Sequence, residues 1–138
     1  MKRLLRAAEQ GDPNVQFNVG VVYDNGVDDN GNGIERNRGE AIKWLLKAAQ
    51  QGLPRAQSRL AEIYAEMSEV PGNSVNACAW FLVATTNLSG VHRHTAQTGF
   101  ERICTHMTHA EIAKAHHFAA IWGPKKQDDS LSMMRRKA

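Results

Sequence analysis

All six histidines of the 138-residue chain, His92, His94, His106, His109, His116 and His117, fall within 26 residues. Imidazoles at that density could gather a metal ion: His109 and His116 share a helical face at i, i+7, and His92-x-His94 lies close by in sequence. Zinc, however, needs three or four convergent ligands held by outer contacts, and there is no helical H-x-x-x-H pair and no H-E-x-x-H. Exposed or cap-adjacent histidines on two short helices account for the cluster, so no metal and no other cofactor is expected. A metal-binding protein or hydrolase built on His92 to His117 is the alternative from another functional class.

Nucleophilic chemistry is equally thin. A reactive cysteine needs an activating base and an electropositive setting, whereas Cys78 and Cys104 fall on or near apolar helix faces, which favours packing. Two cysteines are too few for a disulfide scaffold, and no paired C-x-x-C supports structural zinc. Phosphate-binding loops, dinucleotide glycine fingerprints and G-x-S-x-G elbows are absent. Asp24, Asp28, Asp29 and Asn30 give the Asp24 to Gly33 stretch a calcium-loop flavour, but the D-x-[DN]-x-[DN]-G register and a closing Glu are missing. A polar turn is the simpler reading. The expectation is a protein that is not an enzyme.

The length suits one domain. With 42% hydrophobic and 22% charged residues the chain is neither a disordered tail nor a membrane protein, since no run approaches the ~18 apolar residues a span needs. The formal charge of +3 is outnumbered by Lys125, Lys126, Arg135, Arg136 and Lys137, all in the last 14 residues. Residues 1–124 therefore form a near-neutral body and 125–138 a basic tail, expected to be solvated. A tail of this kind can touch nucleic acid or anionic lipid, but no nucleic-acid partner is expected. Met1-Lys2-Arg3-Leu4-Leu5 opens like a secretory leader until Arg6 and Glu9 interrupt it. As written the chain reads as cytoplasmic, or as periplasmic or secreted if a leader has been removed.

What would position any of these groups is decided by self-similarity. Ala7-Ala8-Glu9-Gln10-Gly11 returns as Ala48-Ala49-Gln50-Gln51-Gly52, 41 residues on. At the same offset Pro13 matches Pro54, Gln16 matches Gln57, Val19 matches Leu60, Gly20 matches Ala61 and Tyr23 matches Tyr64. Ala41-Ile42-Lys43-Trp44 then matches Ala77-Cys78-Ala79-Trp80 at an offset of 36, placing about five extra residues between Asn25 and Gly33. Glycine and asparagine there favour positive φ and oppose helix.

On either side the periodicity is helical: Val15, Val19, Val22 and Tyr23, then Ala41, Trp44, Leu45 and Ala48. Asp12-Pro13 supplies an N-cap and a first-turn proline, and Gly11 and Gly52 end the helices before them. A degenerate third unit carries the stripes Ala96, Phe100, Ile103, Met107 and Ile112, Ala115, Ala119, Trp122, with a capping box at Thr108-His109-Ala110-Glu111. Gly123-Pro124 stops it. The count is about seven helices, a half unit and three pairs, with no strand. Alanines at repeated places let helices approach closely, and Tyr23, Tyr64, Trp44, Trp80 and Trp122 fill the wedges between pairs.

The pattern A-A-x-Q-G, then a V/L-G/A step, Tyr, a Gly-rich turn and A-x-x-W resembles the Sel-one-like repeat (SLR) family, a relative of the tetratricopeptide repeats. The resemblance runs from Leu4 to about Trp122, 119 of 138 residues. It implies an all-α, right-handed α/α superhelix of antiparallel helix pairs and a binding scaffold. Departures are visible. Glu66 to Gly72 replaces the Gly-rich turn of the second unit, and Cys104 stands where the third unit should have tyrosine. Cysteine-rich members staple each helix pair with a disulfide; Cys78 and Cys104 do not match that placement, so neither the staple nor any antibiotic-directed role carries over.

In stacked helix pairs the first helix of each pair lines the inner surface. Its positions outside the core stripe are Asn14, Asn18 and Val21, then Arg55, Arg59, Glu62 and Glu66, then Thr95, Gly99, Arg102 and His106. As a patch they are the expected partner site. Ion pairs within one helix, Arg55 or Arg59 with Glu62 or Glu66, are the plainer alternative. The expected function is a non-catalytic adaptor, regulator or inhibitor that holds a protein or peptide in a concave groove. For bacterial members the resemblance also suggests host interaction, or an immunity protein that neutralises a type VI secretion toxin. The exposed front helix is open to a second copy, which would make a homodimer.

Overall fold

The structure, a computed structural model, describes residues 2–28 and 30–122. The Gly123-Pro124 stop and the basic segment 125–138 lie outside the described residues. Seven helices follow one another: α1 (Lys2–Glu9), α2 (Pro13–Asn25), α3 (Arg38–Gln50), α4 (Pro54–Glu66), α5 (Asn73–Asn87), α6 (Gly90–Cys104) and α7 (His109–Trp122). Among the described residues the only extended pairing is an isolated bridge between Val27 and Gly33. The half unit α1, the pairs α2–α3 and α4–α5, two further helices and the long first loop are therefore present in the order the repeats require.

Local chemistry explains where each helix begins and ends. Asp12 accepts from the Asn14 amide at 2.9 Å ahead of Pro13, and Asn37 accepts from the Glu40 amide at 3.0 Å to open α3. Thr108 and Glu111 close the capping box: the Thr108 amide donates to Glu111 Oε1 at 2.9 Å and the Glu111 amide to Thr108 Oγ1 at 3.1 Å. Gly11 and Gly52 take φ of +102° and +93°, which lets the chain reverse after α1 and α3.

The repeated glutamines have a structural task that explains one of the matches. Gln16 Nε2 donates to the Ala8 carbonyl at 3.2 Å, and Gln57 Nε2 to the Ala49 carbonyl at 3.1 Å. Each buried amide thus adds a second donor to a carbonyl at the end of the preceding helix, beside the Gly11 and Gly52 amides that already reach it. Gln51 Nε2 in turn donates to Gln16 Oε1 at 2.7 Å, and Asn87 Nδ2 to Gln57 Oε1 at 3.5 Å. Successive units are tied by the same polar ladder.

Small residues set the helix spacing. A Cβ on Gly20 would lie 2.6 Å from Leu45 Cγ, so glycine is what lets α2 and α3 approach. The main core runs from α3 to α7 around Leu45, Leu60, Ile63 and Trp80, and a smaller one joins α1 to α2 and α3 through Ala8, Val19 and Trp44. The third pair departs from the regular hairpins. Both α6 and α7 lie against α5, while backbone contact between the two is sparse. Trp122 stacks on Trp80 at 5.2 Å between centroids, and Phe118 stacks on Trp122 at 4.9 Å. That aromatic stack covers the open side of α5.

Candidate functional site

The first helices of the pairs line an open cleft of about 520 Å³. Phe17 of α2 stands at one end. Arg55, Ser58, Arg59 and Glu62 of α4 form one wall, and Leu88 with His92 and Thr95 of α6 forms the other. The volume falls within the roughly 300–1,000 Å³ of ordinary ligand clefts. Helical spacing puts Arg55, Arg59 and Glu62 on a single face of α4, and the opening between α4 and α6 exists because those helices meet only sparingly.

Ties across helices, rather than pairs within one helix, organise the arginines. Arg55 donates to Asn14 Oδ1, and its guanidinium lies 4.9 Å from the Phe17 ring centroid. Arg59 Nη2 reaches Asp24 Oδ2 at 2.9 Å, and the same atom donates to Asn25 Oδ1 at 2.9 Å. Arg38 pairs with both Asp24 and Glu66. Beside the Arg59 charge that acts on Glu62 within α4, bridges from α2 and α3 thus reach α4. Burial pushes the Glu62 carboxyl above its ordinary value; the Arg59 charge opposes that rise, and Glu66 and Asp24 reinforce it.

Other residues of the expected patch are dispersed. Asn18 and Val21 line a separate hollow of about 370 Å³ with Leu4 of α1 and Val27 of the loop. Glu66 is exposed at the end of α4, Arg102 is exposed near the end of α6 and His106 in the turn that follows it, all outside the lining of the α4–α6 cavity. Gly99, expected on the open face, packs against α5 instead: a Cβ there would lie 2.6 Å from Phe81 Cζ.

Asp24 was not legible as an anchor. It is buried in the last turn of α2, not in a calcium-like turn, with Arg36, Arg38 and Arg59 around its carboxylate. An acid at a helix C-terminus opposes the dipole, so its position together with Arg36 and Arg38 just downstream was the available signal. In the loop, the Asp28 carboxylate accepts from the Asn30 and Asn32 amides at 3.0 and 2.7 Å, and the Asn32 amide holds its pKa below the ordinary value.

All six histidines are exposed. His116 meets Phe100 edge-on at 6.4 Å, His117 tilts against Phe118 at 6.3 Å, and His92 belongs to the cavity wall. Among the described residues no three His, Cys, Asp or Glu side chains come together as metal ligands. Burial pushes Cys78 up to about 12 and raises Cys104 as well.

Residues 13–53 and 54–86, which are α2–α3 and α4–α5 with their connections, match the Sel1 repeat, together more than half of the sequence. The chain belongs to the Sel1 repeat family. Among solved structures it is similar to c5321, a protective antigen present in uropathogenic Escherichia coli strains and displaying an SLR fold. The identity is 27% and the TM-score 0.74, over 96% of this chain and 27% of that one. This Sel1 repeat chain therefore spans about a quarter of the length of that relative. No curated protein sequence matches it. The all-α solenoid is shared, and a Sel1 repeat array is a scaffold for protein interaction. Among the described residues no helix is long and apolar enough to cross a membrane.

Proposed function

We propose that the chain is a non-catalytic adaptor, regulator or inhibitor that holds an extended peptide segment of another protein between α4 and α6. The observation that carries this reading is the cavity itself, walled by the first helices of two successive units. Leu53, Pro54 and Leu88 supply its apolar lining, and Arg55 and Arg59 supply its positive charge. Arg55 stays exposed despite its contact with Asn14, and a guanidinium has donors left after one hydrogen bond. The matching ligand is an apolar side chain next to a carboxylate.

Arg59 holds Asp24, so reversing its charge would disturb the fold together with any site. Thr95 is the better probe, because it is exposed and its hydroxyl only returns to the Val91 carbonyl at 3.0 Å. Peptides selected from a displayed library on the wild type should lose at least about tenfold in affinity, roughly 1.4 kcal/mol, for Thr95→Trp, which fills the cavity. Unchanged affinity for Thr95→Trp and for Ser58→Arg would refute the groove.

A further inference from the structure

We infer that Cys78 and Cys104 form a thiol–disulfide pair that staples α5 to α6, a modification site joining two successive repeat units. Their Sγ atoms lie 3.8 Å apart although 26 residues separate them in sequence, and both are free thiols. A disulfide is about 2.05 Å long, so a relative shift of under about 2 Å between two packed helices makes the bond. At the preceding junction the equivalent places hold Ile42 and Tyr64, partly buried large side chains packed on the core. At this junction both places are thiols. The staple lies between units, not within a hairpin.

The oxidant class is a low-molecular-weight disulfide such as oxidised glutathione. Cys104, half-exposed, is the entry point, and Cys78 is buried. Cys104 loses its proton and attacks one glutathione sulfur; that S–S bond breaks, and the departing glutathione thiolate takes up a proton. Cys78, as thiolate, then attacks the Cys104 sulfur of the mixed disulfide. The second glutathione leaves as thiolate and is protonated in turn. Two protein thiols are oxidised and one glutathione disulfide is reduced to two thiols. Because burial raises both thiols, closure is slow at neutral pH and accelerates roughly tenfold per pH unit while the thiols remain mostly protonated.

The bond would fix α6 against α5. Since α6 is one wall of the cavity, oxidation would also set its width, a consequence that rests on the groove reading above. The staple itself is tested without any peptide.

The full chain is equilibrated in glutathione buffers of increasing oxidised fraction, then followed by intact mass, maleimide labelling after unfolding, and melting temperature. The expected result is a monomer lacking two hydrogens and no longer labelled, melting about 5–10 °C higher than the reduced form. Cys104→Ser, at a half-exposed position, should melt like the reduced wild type and show no such shift; Cys78→Ala is the second control. A glutathione adduct on Cys104 alone, a cross-linked dimer, or thiols still reduced in the most oxidising buffer would each overturn the pair.

Discussion

In α2–α5, each buried glutamine reaches back to the end of the preceding helix, Gln16 to Ala8 and Gln57 to Ala49. In α6, Ala96-Gln97 repeats Ala56-Gln57 40 residues later, yet Gln97 is exposed. There α6 and α7 both lean on α5, and aromatic stacking of Trp80, Trp122 and Phe118 does what the polar ladder does elsewhere. Identical residue types thus acquire different tasks in the two regions: buried amides tie the junctions of α2–α5, and aromatic rings cover an apolar face at α6–α7. The cavity lies where the two regimes meet, between α4 and α6.

Changes at the helix contacts should separate the two regimes most strongly. Gly20→Val drives side-chain atoms into fully buried Leu45 and is expected to cost about 3 kcal/mol. Gly99→Val meets Phe81 but can be relieved by movement of the exposed helix α6, at about 1–2 kcal/mol. Urea denaturation of both variants measures the gap, and equal losses would mean that α6 is packed as rigidly as α2 and α3. Next, Trp122→Ala uncovers Trp80 and should cost about 2–3 kcal/mol, with Trp80 fluorescence shifting to the red. An unmoved spectrum would show that the stack does not shield α5.

A smaller effect tests the ladder. Gln57→Ala removes a fully buried side chain with its bond to the Ala49 carbonyl, which keeps only the Gly52 amide, and should cost about 1–3 kcal/mol, whereas Gln97→Ala should stay within about 0.5 kcal/mol. The smallest effect is electrostatic. Glu62 has a raised pKa in the fold, so its contribution to stability is present below the ordinary glutamate value of 4.5 and is lost as pH rises through the folded value. Glu62→Gln keeps the neutral form. It should therefore melt up to about 2 °C above wild type at pH 7, reduced by solvent screening, and coincide with it at pH 4.

Much of this was legible in the chain because stacked repeats repeat their physical demands. Pro13 and Pro54 mark two helix starts, Ala41-x-x-Trp44 and Ala77-x-x-Trp80 mark two buried stripes, and the Thr108 to Glu111 box marks a third start. Three features were not legible, each for the same reason: they join segments with no common period. Asp24 is held by Arg36 and Arg38 at the entry to α3 and by Arg59 from α4, two places with no common period. The thiols of Cys78 and Cys104 meet only because α6 lies on α5. Gly99 turns inward because Phe81 occupies the space beside it. In the candidate site, Arg55, Arg59 and Glu62 followed from helical phase, while His92 and Leu88 depended on how α6 docks.

The open trough between α4 and α6 is the proposed seat of a segment from another chain. Backbone amide exchange on the full protein, with and without a peptide selected on the wild type, tests it most directly. Slower exchange on binding in α4 and α6, with α7 unchanged, is the predicted result. Protection confined to α1–α3 or to α7 would contradict it.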